Sequence, residues 1–236
     1  MEASGWGRAV LSLAAVAAAC GESGRERAEA DVRRDPGRGM RTCTDIRGYL
    51  NDEAAAGRAV HSEPDGASAV LGRVSPPSKG PAGDYSVAVG FDVLASRDGW
   101  LLIEGAADDA ALTERPARAM YSGRGWIRSE RVGVGLQTRQ AFAEPRHSSA
   151  LLIETIEPNS LADLVEIAAC DGNWVLGRWR PSPPSAFRYE PAAVVSRDPL
   201  TLEAWATGIC NIQETSCDGV SGDRPAGDRD PGVKIP

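Results

Sequence analysis

The clearest pattern along the chain is alternation. Val87, Val89, Phe91 and Val93 stand at every second position, which puts all four on one face of a predicted strand. Arg97-Asp98-Gly99 then turns the chain and Trp100-Leu101-Leu102-Ile103 returns. Asp-Gly between two such runs predicts a hairpin, because a type I′ turn needs positive φ, which glycine tolerates. A second run repeats the plan: Val165 and Ile167 share a face, Asp171-Gly172-Asn173 turns, and Trp174-Val175-Leu176-Gly177-Arg178-Trp179 returns. No apolar period of about 3.6 residues persists beyond roughly two turns between Arg41 and Cys217, so the chain reads as almost all β, with Gly- and Pro-rich turns.

The two hairpins belong to a longer recurrence. Glu63-Pro64-Asp65-Gly66-Ala67-Ser68-Ala69-Val70-Leu71 returns as Glu144-Pro145-Arg146-His147-Ser148-Ser149-Ala150-Leu151-Leu152, a spacing of 144 − 63 = 81 residues. Each copy is followed by an Asp-Gly and Trp hairpin, which predicts one small unit used twice. In each copy the proline predicts an extended loop, with Asp65-Gly66 turning the first. A polar excursion from Gly105 to Met120 separates the first hairpin from Gly123-Arg124-Gly125-Trp126-Ile127, the last strand of the first unit. In the second unit an excursion holding Pro181, Pro183, Pro184 and Pro191 leads to Leu202-Glu203-Ala204-Trp205. Two small barrels over residues 43–134 and 135–218 are the economical fold. Residues 20–42 and 219–236 carry Arg, Asp, Glu, Gly and Pro without apolar periodicity, which predicts a flexible tether and a frayed tail.

Composition narrows the setting. The chain has 236 residues with 42% hydrophobic content, enough for a core. A net charge of −7 and no basic stripe remove the electrostatic footprint of nucleic-acid binding. Residues 1–19 read as a signal peptide: Arg8, then an apolar run from Ala9 to Ala19, too short to span a bilayer and ending in small residues. Small residues followed at once by Cys20 resemble the lipobox of bacterial lipoproteins, which implies a lipid on Cys20 and export to the cell envelope, facing the periplasm or the outside. Soluble secretion is the alternative. Cys43, Cys170, Cys210 and Cys217 are then an even set in an oxidising compartment, which predicts two disulfides. Cys210–Cys217 with Cys43–Cys170, and Cys170–Cys210 with Cys43–Cys217, are both open pairings.

The order of loop, strand, Asp-Gly hairpin with Trp, and closing Gly-Trp resembles the bacterial SH3-like (SH3b) domain. The corresponding residues are Ala59-Val60-His61-Ser62-Glu63-Pro64, Gly99-Trp100 and Gly125-Trp126-Ile127 in the first unit. In the second they are Ala141-Phe142-Ala143-Glu144-Pro145, Gly172-Asn173-Trp174 and Ala204-Trp205. Neither copy keeps the family's Asn or Arg in its opening motif, and Ala204 stands where Gly is usual. The resemblance implies two tandem, partly open β-barrels that bind cell-wall material or envelope proteins and are not catalytic. A structural or assembly subunit of an envelope complex is the alternative, and an accessory part of a cell-wall hydrolase a lesser one.

Candidate chemistry is sparse. Trp100, Trp126, Trp174, Trp179 and Trp205 fall at predicted strand ends, where an amphipathic ring plugs a small barrel or lines a groove. Trp126 and Trp205, with Glu63 and Glu144 of the recurring loops, are the candidate ligand-binding residues, one acidic and aromatic groove per unit. His61 and His147 are the only histidines and lie in the loops rather than facing a cysteine, so thiol catalysis has no base. The Cys-x₆-Cys spacing of Cys210 and Cys217 is wider than that of structural zinc sites. Asp218, Asp223, Asp228 and Asp230 lack the ligand order of a calcium loop. No cofactor is expected.

Overall fold

A computed structural model describes residues 39–83, 85–155, 164–179, 187–189, 201–210 and 222–225. Among them the chain is built from short strands and one helical turn. The first half contains β1 (Arg41–Leu50), β2 (Arg58–His61), β3 (Val70–Val74), β4 (Ser78–Lys79), β5 (Ser86–Val87), β6 (Val89–Arg97), β7 (Trp100–Ala107), α1 (Ala110–Thr113), β8 (Gly125–Arg128) and β9 (Val132–Gly133). The second contains β10 (Gly135–Leu136), β11 (Gln140–Phe142), β12 (Leu151–Thr155), β13 (Leu164–Asp171), β14 (Trp174–Trp179), β15 (Phe187–Tyr189), β16 (Leu202–Ala206) and β17 (Ile209–Cys210). The all-β expectation holds for these residues, and α1 interrupts it inside the excursion after β7, capped by the Asp109 side chain.

Two sheets carry the architecture. One has seven strands in the order β3-β2-β8-β7-β6-β1-β9, the other six in the order β13-β14-β16-β11-β12-β15. The end strands of each sheet do not pair with each other, so neither closes into a barrel. Read from the opposite edge, the second sheet contains β12-β11-β16-β14-β13, the same connectivity as β3-β2-β8-β7-β6. The hairpins have the turns their residues dictate. Between β6 and β7, Asp98 and Gly99 both take positive φ, 49° and 78°, as a type I′ turn requires. Between β13 and β14, Gly172 takes the positive φ.

Pairing registers repeat as well. In the first hairpin Val60 faces Gly72 and His61 faces Val70, with a bulge between; in the second Ala141 faces Ile153 and Phe142 faces Leu151, with the same bulge. The returning strand then pairs His61 with Trp126 and Phe142 with Trp205. On its other side Trp126 faces Leu102 and Trp205 faces Leu176.

One hydrophobic cluster draws on both sheets, joining Leu50, Val60, Phe91, Leu101, Ile103 and Ile127 to Ile167, Cys170 and Val175. Alternation explains the membership: in β7, Leu101 and Ile103 point into this cluster, whereas Trp100 packs on the opposite face with Trp126 and Ala95. The sheets are also stitched at one corner. Cys43 of β1 is bonded to Cys170 of β13, 127 residues away, with Cα atoms 5.5 Å apart. Beside it Thr44 N donates to Gly172 O (2.8 Å) and Gly172 N to Thr42 O (2.9 Å). The buried Ser96 hydroxyl accepts from Cys170 N at 3.0 Å, and Arg41 pairs with Asp171. Of the open pairings, the structure has Cys43–Cys170. Cys210 is also in a disulfide, with a partner outside the described residues.

Candidate functional site

The recurring loops share one frame of four hydrogen bonds. Ser62 N donates to Ala69 O at 2.9 Å, and Ala143 N to Ala150 O at 2.9 Å. Asp65 N and Arg146 N donate to Glu63 O and Glu144 O, each at 2.7 Å; Ser68 N and Ser149 N donate to Asp65 O and Arg146 O, each at 3.1 Å. The serine explains why the motif ends as it does: Ser68 Oγ accepts from Glu63 N (3.3 Å) and Ser149 Oγ from Glu144 N (2.9 Å), closing the loop on itself. Glu63 and Glu144 are exposed on these loops, and Glu144 pairs with Arg146 at 2.6 Å.

Beneath each loop lies an aromatic cluster. In the first half the His61 ring meets Trp100 edge-on at 5.2 Å, and the Arg128 guanidinium lies 4.3 Å from the Trp100 ring centre. In the second half Phe142, His147 and Trp174 meet mutually edge-on, with centroids 4.9 to 5.7 Å apart. Trp126 is 7% exposed and Trp205 1%, so both rings are largely closed off from solvent. Trp126 packs with Trp100 and Ala95, while Trp205 packs with Leu176, Ala168 and Ala169 and carries Arg41 over its ring at 5.2 Å. Across the strand pairs Trp126 stands opposite His61 and Trp205 opposite Phe142. At these positions the tryptophans are packing residues and the glutamates stand on the loops above. Cys20 and Cys217 lie outside the described residues, as do Pro181, Pro183, Pro184 and Pro191 of the second excursion. Among the described residues no group of three or more His, Cys, Asp or Glu side chains converges as metal ligands would. No helix among them is long and apolar enough to cross a membrane.

The sequence reading missed what covers the second cluster. Three residues of the tail, Gly222-Asp223-Arg224, are packed against it rather than frayed. Gly222 N donates to Gln137 O at 2.9 Å, and Gly222 O lies 3.1 Å from His147 Nε2. A carbonyl only accepts, so this bond requires the His147 proton on Nε2. The Asp223 carboxylate accepts from Arg139 N (2.6 Å), Arg139 Nε (2.9 Å) and Thr138 Oγ1 (2.9 Å). Burial pushes this carboxyl up, but the bonds from Arg139 and Thr138 and the Arg139 charge outweigh it and hold its pKa below the ordinary value. Arg224 N donates to Gln140 Oε1 (2.9 Å), its Nη2 to Ser149 O (2.8 Å), and its guanidinium lies 5.2 Å from the Phe142 ring centre. The signal for this segment was present as a repeated tripeptide, since Gly-Asp-Arg stands at 222–224 and again at 227–229.

The first half meets the same need differently. Arg58 occupies the position 81 residues before Arg139, and Asp52, from the loop after β1, bonds it at 2.7 and 3.1 Å. Burial pushes the Asp52 carboxyl up, and the Arg58 and Ala54 N bonds, with the Arg58 and Arg131 charges, bring it below the ordinary value. Compared with protein-family models, curated proteins and solved structures, the chain matches none.

Proposed function

We propose that this chain is a non-catalytic binding protein of a bacterial cell envelope, made of two SH3-like units that engage cell-wall material or envelope proteins through their loop faces. The carrying observation is the recurrence of one five-strand order with one loop. The order β3-β2-β8-β7-β6 is a meander whose last strand pairs with its first, left open between its second and third strands. That order supports reading each half as a small, partly open barrel, although neither sheet closes, and β12-β11-β16-β14-β13 repeats it. The Cys43–Cys170 bond fits an oxidising compartment, where the signal-like N-terminus and a lipid on Cys20 would hold the protein at the membrane. Soluble secretion remains the alternative to the anchor.

Sedimentation with purified peptidoglycan tests the binding role. Wild type is expected in the pellet, and Glu63→Lys and Glu144→Lys, which change exposed loop residues without touching the core, should reduce it. Wild type left wholly in the supernatant overturns cell wall as the ligand. Cys20→Ser should move the protein from the membrane to the soluble fraction; a wild type already soluble removes the lipid anchor.

An assembly role is the second reading, favoured by the edge strand β3. Val70 and Leu71 are 55% and 44% exposed there, at the open end of the seven-stranded sheet. The equivalent edge β12 carries β15, which pairs Ile153 with Tyr189 and Thr155 with Phe187.

A further inference from the structure

We propose that the loop face of the second half is a peptide-recognition site for the sequence Gly-Asp-Arg, filled in the resting chain by its own Gly222–Arg224. The inference rests on the geometry of this segment and is independent of the envelope reading. Each of the three positions is read by separate groups. At the first, only glycine fits, because a Cβ at Gly222 would lie 2.0 Å from Thr207 O. Its backbone is held from both sides, by Gln137 O and His147 Nε2. At the second, three donors converge on one carboxylate, two from Arg139 and one from Thr138. A neutral amide would set its own NH₂ against one of those donors. At the third, the backbone N–H meets Gln140 Oε1, and the guanidinium meets Ser149 O and the Phe142 face. Pro225 is exposed and contributes little to the reading.

Apart from Thr207, which follows β16, these receptor groups come from one short stretch. Gln137, Thr138, Arg139 and Gln140 lead into and begin β11, Phe142 ends it, and His147 and Ser149 belong to the recurring loop. The first half does not offer the same set: 81 residues earlier stand Ala59 for Gln140, Gly66 for His147 and Gly57 for Thr138, and Arg58 is already paired with Asp52. The site therefore belongs to the second half alone. The tripeptide recurs in the sequence at Gly227-Asp228-Arg229, so the test below changes both copies. Tethering raises the local concentration of a segment to roughly millimolar, so a free peptide must compete with it.

The test uses the full chain and a labelled synthetic peptide of residues 221–226, Ser-Gly-Asp-Arg-Pro-Ala. Anisotropy should show binding to the Asp223→Ala/Asp228→Ala double variant, and binding to wild type roughly tenfold or more weaker, because the tethered segment competes. A peptide carrying Asn for Asp should bind the double variant roughly tenfold to a hundredfold more weakly. A double variant that keeps the wild-type circular dichroism and melting temperature yet binds no peptide overturns the proposal. Hydrogen exchange on wild type decides the matter even if that variant does not fold. The amides of Gly222 and Arg224 should exchange at least about tenfold more slowly than in the free peptide, and exchange at the free rate overturns the assignment.

Discussion

The two loop faces start from the same backbone and end with different occupants. Both loops share the same frame of four hydrogen bonds, both join the strands of a bulged hairpin with the same register, and both sit beside a tryptophan from the returning strand. In the first half the arginine at the base of the face is satisfied by Asp52, six residues upstream, and in the second by Asp223, 84 residues downstream. The repeated loop thus preserves a demand, a guanidinium needing a carboxylate, while leaving open which segment supplies it. The local supplier locks the first face, and the distant supplier makes the second face a docking site.

The largest expected effect tests how alike the two halves are inside. Trp126→Ala and Trp205→Ala should each destabilise the chain by about 3–5 kcal/mol in urea unfolding, as truncation of buried aromatics does. A cost under about 1 kcal/mol at either would mean that the ring lines a groove rather than filling space. Next comes the corner joining the sheets. The double variant Cys43→Ala/Cys170→Ala should lose about 2–5 kcal/mol, toward the upper end because the bond spans 127 residues. An unchanged unfolding midpoint would show that the shared core alone holds the sheets.

The two carboxylates separate the halves more finely. Asp52→Ala removes the shortest ion pair of a largely buried Arg58, which keeps Glu130 and the Arg128 carbonyl, and should cost about 1–3 kcal/mol of global stability. Asp223→Ala should leave the midpoint nearly unmoved and instead speed exchange at the Arg139 amide. Equal global losses would break the distinction between a locked and a docked face.

Acid should separate them too. Asp52, Asp108 and Asp223 all have pKa values lowered in the folded chain. At Asp108 the leading cause is the side-chain bond from Arg118, opposed by burial. Each therefore adds stability that is complete above the unfolded pKa of about 3.9 and is lost as pH falls through the folded value. Below about pH 4, Gly222 and Arg224 should lose amide protection before the core strands do; loss only with global unfolding would count against a separable tail. The smallest effect is expected at the open edge, where Val70→Thr and Leu71→Thr should change stability by no more than about 0.5 kcal/mol. A larger loss would show that β3 is covered in solution, as β12 is covered by β15.

Much of this is legible in the sequence. Alternation, Asp-Gly turns and an 81-residue recurrence are local signals, and they located the hairpins, the paired loops and the strand ends bearing tryptophan. They work because side-chain direction in a strand and φ in a tight turn depend on immediate neighbours. Three matters depended on distance instead. That Cys170 pairs with Cys43, that Trp205 is sealed by Arg41, and that Gly222–Arg224 packs on His147 all follow from which surfaces meet after folding. Composition could not reveal the last, because a segment without apolar periodicity orders only where other elements present it with donors and acceptors at the right spacing.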